Sequence, residues 1–151
     1  MIVVADASPL RYLILIEHVH VLPALYGRVL VPPTVISELN QERTPDLVRN
    51  WLSSSPEWLV VQAPQQPLPS LPRVLGPGER EAIALAAELS ADALLMDDRD
   101  GRREAERRNL VVLGTLRVLA DAAAHGFANL RVALDRLRLT NLTPSAPRRP
   151  R

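Results

Sequence analysis

The sequence has no cysteine and no lysine, and only 3% of its residues are aromatic. Without cysteine there can be no disulfide and no thiolate metal site, which fits a reducing, cytoplasmic setting. Without lysine all 18 basic side chains are arginine. That disfavours receiver-like and phosphatase-like α/β sites, where a lysine supports the phosphate-accepting aspartate. It leaves arginine, which can grip carboxylates and phosphates bidentately. The scarcity of aromatics, with Trp51, Trp58 and a single Phe, gives no stacking platform on which bases could be read. No apolar run is long enough to span a bilayer. The first residues enter a short hydrophobic stretch that ends in an acid at position 6, unlike the basic opening of a secretory signal. A net charge of +1 supplies no global field toward nucleic acid, so any such affinity has to come from local clusters.

What remains is a chain with 47% hydrophobic residues over 151 positions, enough for one domain that buries about two-thirds of its unfolded surface. Its core has to be built from Leu, Val, Ile and Ala. Residues 2–5, 29–31, 58–61, 93–96 and 110–113 read as short strands buried on both faces. Between them lie helical stretches: one opening at Ser8-Pro9, with Ser8 as N-cap, then 19–25 closed by Gly27, 33–39 after a double proline, and 45–54. Further helices are expected over 79–89, 99–108, 115–125 and 130–137. The proline-rich segment 63–77 reads as a long extended connection that is mobile or wraps the surface. Strands alternating with helices predict an α/β fold, a three-layer α/β/α sandwich with a mainly parallel sheet. The domain is expected to occupy residues 1–140, followed by a disordered Pro/Arg-rich tail at 141–151.

Ligands of open α/β sheets bind beyond the carboxyl ends of the strands. Asp6 follows the first strand and Asp97-Asp98 follows the strand 93–96, so both acidic features fall at that edge. Glu38 lies late in the helix after the second strand, and Glu79 and Glu81 open the helix written GEREAIALA. Carboxylates converging from distant parts of a chain repel unless a cation compensates, and hard oxygen donors suit Mg²⁺ or Mn²⁺. His20 and His125 are poorly placed for zinc. Taken singly, each acid also has a structural reading: Asp6 as a helix cap, Glu38 as part of a solvated face, Glu79 and Glu81 as partners of a helix dipole. The Asp97-Asp98 doublet has no such structural need.

The motifs VADASPLRYL, VLVPPTVISEL, GPGEREAIALA and ADALLMDDRDGRREAERRNLVVLGTLRVL, in that order, resemble the PIN-domain family, in particular its VapC-like, toxin-related branch. The likeness runs from Ile2 to about Gly126. It implies a Rossmann-like, PIN-like sandwich and a Mg²⁺- or Mn²⁺-dependent endoribonuclease, a hydrolase of RNA phosphodiesters, in the role of a toxin in a toxin–antitoxin pair. The alternative is a catalytically silent PIN-like scaffold that binds RNA or a protein. On the family's pattern Asp6, Glu38, Glu81 and Asp98 are the matching acids. Ser8 and Thr115 are supporting hydroxyls, and Asp97 is an extra carboxylate that could bind metal, bind a water or restrain Arg99. Glu81 stands where many relatives carry Asp, and Thr115 where some carry a further carboxylate.

Arg99, Arg102 and Arg103 flank Asp98 and could hold RNA phosphates, unless Glu104 and Glu106 tie up the arginines of this helix in surface pairs. Val19, Leu22, Leu25 and the helix over 10–16 are apolar enough to suggest a homodimer or an antitoxin-binding surface, with a core role for most of them as the default. An antitoxin of the kind the resemblance implies would block the acids with a basic side chain. No membrane association is expected.

Overall fold

The computed structural model describes residues 1–66 and 70–140; the tail expected at 141–151 lies outside the described residues. Five strands form one sheet, all parallel, in the order β3-β2-β1-β4-β5. They are β1 (Val3–Ala5), β2 (Val29–Val31), β3 (Leu59–Val61), β4 (Ala93–Leu95) and β5 (Val112–Leu113). Every parallel pair requires a crossover, and helices supply it. The chain first builds outward from β1 through β2 to β3, then returns to the other side of β1 with β4. The sheet therefore reverses direction between β1 and β4, the place where such sheets open a crevice.

Strand residues alternate between two cores. Val3, Ala5, Val29, Val31, Ala93 and Leu95 face one, while Val4, Leu30, Leu94 and Met96 face the other. The first core is covered by α1 (Ala7–Leu15), α2 (Val21–Tyr26), α4 (Asp46–Ser53), α7 (Thr115–Ala124) and α8 (Leu130–Leu139), through Leu10, Leu13, Leu22, Val48, Leu119 and Leu137. The second is covered by α5 (Pro77–Glu88) and α6 (Arg99–Arg107), through Ile83, Ala86 and Ala105. The short α3 (Pro33–Leu39) buries Val35 and Leu39 in the first core. The result is the three-layer α/β/α sandwich that the alternating pattern predicts.

One local expectation is revised, and two others become specific. The first helix starts at Ala7 with Asp6 as its N-cap residue, so Ser8 sits inside the first turn rather than capping it. Leu10, Leu13, Ile14, Ile16 and Leu22 are core residues, with Val19 and Leu25 packed against them. Most of their apolar surface is used inside the protein, in the core role that their pattern also allowed. The proline-rich connection, in its described residues, wraps α5. The Gln65 and Gln66 amides donate to Glu88, and Arg80 donates to the Pro72 and Leu75 carbonyls. Among the described residues no helix is long and apolar enough to cross a membrane.

Candidate active site

Val3, Val4 and Ala5 pair with Ala93, Leu94 and Leu95, and the Asp6 amide donates to the Leu95 carbonyl at 2.9 Å. This register sets Asp6 beside the end of β4, at the point of sheet reversal. The Asp6 side chain is 4% exposed, and its Oδ1 has no hydrogen-bond partner. Burial is the main reason its pKa is pushed up to about 7; the charges of Glu38, Asp98 and Asp97 push it further, and the Ala7 amide partly offsets them. An ionised carboxylate in this place is costly unless a positive charge joins it.

Glu38 reaches the site from α3. It packs against Gly78 in the first turn of α5, and a Cβ on Gly78 would lie 2.0 Å from Glu38 Oε1. Burial raises the Glu38 pKa, the nearby Gly78 amide partly offsets this, and the charge of Glu81 adds to it.

The structure places the two glutamates of α5 differently. Glu79, two residues before Glu81, is the one that meets Asp98. Its Oε1 accepts from the Gly76 amide at 2.7 Å, closing the N-terminus of α5, and its carboxyl also shares a hydrogen bond with Asp98. Burial, then that bond and the charges of Asp98 and Asp6, raise the Glu79 pKa to about 7, against the Gly76 amide that lowers it. Two carboxyls can share a hydrogen bond only if one of the pair keeps its proton, and the raised pKa of Glu79 favours such a shared proton.

Glu81 points elsewhere: its two oxygens accept from the Thr34 amide at 3.1 Å and the Thr34 hydroxyl at 2.9 Å. Residues two apart on a helix do not share a face, so Glu79 and Glu81 cannot both look at Asp98. Apolar spacing in the sequence does not choose between them, because Ala82 and Ile83 follow Glu79, and Ala84 and Leu85 follow Glu81, by three and four positions, and all four are buried.

The Asp97-Asp98 doublet divides its work. Asp98 is the N-cap of α6 and accepts from the Gly101 amide at 2.9 Å. Asp97, 8% exposed, accepts from the Thr115 amide at 2.8 Å and the Thr115 hydroxyl at 2.7 Å. It thereby caps α7 from the neighbouring strand end and contributes charge toward Asp6. Thr115 supports the region through Asp97. The structure thus gives Asp97 and Glu81 helix-capping bonds where the sequence reading had them as cation ligands, and it brings Asp6, Glu38, Glu79 and Asp98 into electrostatic contact. Replacing Asp97 with Ala is expected to lower the unfolding free energy by about 2–3 kcal/mol, since it strands two fully buried Thr115 donors. Urea denaturation of the variant measures this.

Ser8 is half-buried in the first turn of α1. Arg99, Arg102 and Arg103 lie on α6, and no ion pair among the described residues involves them. Glu104 instead takes Arg107 at 3.3 Å and Arg108 at 2.8 Å, and it accounts for the pairing anticipated along this helix.

Among the described residues no three acidic or histidine side chains already form a ready-made set of metal ligands. The donors nevertheless suit a hard divalent cation. All are carboxylates, one buried oxygen of Asp6 is orphaned, and burial and mutual repulsion raise the pKa values of Asp6 and Glu79.

A parallel α/β sandwich with buried carboxylates at its switch point is the class of protein that this geometry defines. A family model described as a PIN domain matches residues 2–145, and the chain belongs to the PIN-domain family. PIN domains are generally nucleases and generally use divalent metal ions. Among solved structures the chain is similar to a PilT N-terminus domain protein from the hyperthermophilic archaeon Sulfolobus solfataricus P2. The identity is 21%, the alignment covers 81% of this chain and 93% of that one, and the TM-score is 0.60. That likeness concerns the fold. No curated protein matches the chain.

Proposed function

We propose that this protein is a Mg²⁺- or Mn²⁺-dependent endoribonuclease whose cation is held by Asp6, Glu38, Glu79 and Asp98. The observation that carries the reading is the Asp6 carboxylate: buried at the switch point, with one oxygen unpartnered and three other acids acting on it. A bound ion of this kind supplies Lewis-acid polarisation of a phosphodiester and lowers the pKa of a water.

The chain's own residues do the rest. The Gly101 amide fixes Asp98, and Asp97 fixes the start of α7, so the β4 end is rigid where the substrate would react. Arg99, Arg102 and Arg103, on the helix that Asp98 caps, are the cations available to RNA phosphates, and arginine binds these bidentately. In the toxin role, an antitoxin that seats a basic side chain among the same acids would silence the enzyme.

The test is RNA cleavage in Mn²⁺ or Mg²⁺ against a chelator control, with Asp98→Asn alongside. Asparagine can still accept from the Gly101 amide, so the helix cap survives while the charge is lost. Cleavage is expected only with the cation, and to fall on the order of 100-fold or more in the variant. Cleavage that persists in chelator, or that Asp98→Asn leaves unchanged, sinks the reading.

A further inference from the structure

Helix α3 has only seven residues, opens on Pro32-Pro33 and has no capping side chain of its own. A helix that short does not hold its orientation unaided. Its first turn is instead closed from outside, by Glu81 on α5 receiving both the amide and the hydroxyl of Thr34. Glu38 lies four residues after Thr34, on the same face of the helix. At that end the link runs the other way, with the Glu38 carboxylate seated against the backbone of Gly78 in α5. Helices α3 and α5 are thus tied at two points one turn apart, each tie using a carboxylate of one helix and backbone of the other.

We infer that Glu81 is a positioning residue of the cation site: by holding Thr34 it sets the rotation of α3 and thereby aims Glu38. This rests on the proposed cation-dependent nuclease reading for its consequence, though not for its geometry. Glutamine at position 81 can keep the bridge, accepting from the Thr34 amide through its oxygen and donating to the Thr34 hydroxyl through its nitrogen. Alanine cannot. A ligand role therefore predicts losses in both variants, and a positioning role a loss in alanine that glutamine largely restores.

The experiment is calorimetric Mn²⁺ titration of wild type, Glu81→Ala and Glu81→Gln, well below their unfolding temperatures. Glu81→Ala is expected to weaken Mn²⁺ binding by roughly 10–100-fold, the usual effect of losing an outer-shell partner, with Glu81→Gln restoring most of it. Equal losses in both variants would make Glu81 a ligand, and no loss in either would make its role only structural; each result overturns the inference. A metal-free arm separates this from the nuclease reading. The carboxyl ¹³C resonance of Glu38, assigned with Glu38→Gln, is expected to shift in Thr34→Val, and an unmoved resonance overturns the inference even if wild type binds no Mn²⁺. A shifted resonance in a protein that binds no Mn²⁺ would retain the positioning link and reject the cation site.

Discussion

Asp6→Asn is expected to make the metal-free protein more stable at pH 8 while removing its cation-dependent cleavage. Asp6 has a folded-state pKa of about 7 against 3.8 for the unaffected group. A carboxyl whose folded pKa is raised favours the folded state while it is protonated. That advantage is complete below pH 3.8 and is lost as pH rises through about 7. Above that, the folded protein carries an ionised, buried, partly unpartnered carboxylate whose cost is on the order of 4 kcal/mol. Asparagine removes the charge but still buries an amide, so the net gain is expected to be about 1–2 kcal/mol. Denaturant melts in chelator at pH 5 and pH 8 measure it. The wild type should lose stability over that interval more steeply than the variant, and Mn²⁺ should return the loss to the wild type alone through linkage. A variant less stable than wild type at pH 8 would mean that the Asp6 charge is already compensated inside the protein. A buried group that costs stability is a sign of a site kept for function rather than for the fold.

Much of this could be seen in the sequence because the strands are short, fully apolar and separated by clear helix punctuation. The five strands and the helices between them fall within a few residues of where the pattern puts them. Asp6 and Asp98 were also legible, and in a way the alternation of side chains explains. Asp6 follows Val4 by two residues and Asp98 follows Met96 by two, and both Val4 and Met96 belong to the core under α5 and α6. Asp97 follows Leu95, of the opposite core, toward α7, and it is α7 that it caps.

What the sequence did not settle was helix phase. The motif GEREAIALA offers two glutamates on different faces, and the choice depends on how α5 rolls against the sheet. Resemblance selected Glu81; in the structure Glu79 is the one beside Asp98, while Glu81 faces Thr34. The cap supplied by Glu81 to α3 joins residues 47 apart in the chain, and no local pattern encodes a pairing at that distance. The two capping carboxylates, Asp97 and Glu81, use the same device, each binding both the amide and the hydroxyl of a threonine in a helix's first turn. They account for acids that motif reading had counted as ligands.

Gly78→Ala is expected to separate function from stability in the opposite sense to a core substitution. The position is buried, in the first turn of α5, where an added methyl would overlap the Glu38 carboxylate. What it meets is the far end of a flexible side chain, so Glu38 can swing aside while the backbone stays in place. Alanine also suits a helix better than glycine, by up to about 1 kcal/mol in a helix interior. The melting temperature should therefore hold or rise slightly. Glu38, however, loses its seat against the Gly78 amide and is turned from the acid group. Mn²⁺ affinity and cleavage rate should each fall by roughly 10–100-fold, as when a supporting contact of a metal ligand is lost. Thermal melts run beside calorimetric Mn²⁺ titrations of the same samples test both halves. If Mn²⁺ binding is unchanged, Glu38 does not act from the place it occupies against Gly78, and the cation site has to be drawn without it. If instead the melting temperature collapses, the α3–α5 contact is rigid, and the cost of the methyl falls on the backbone rather than on the side chain.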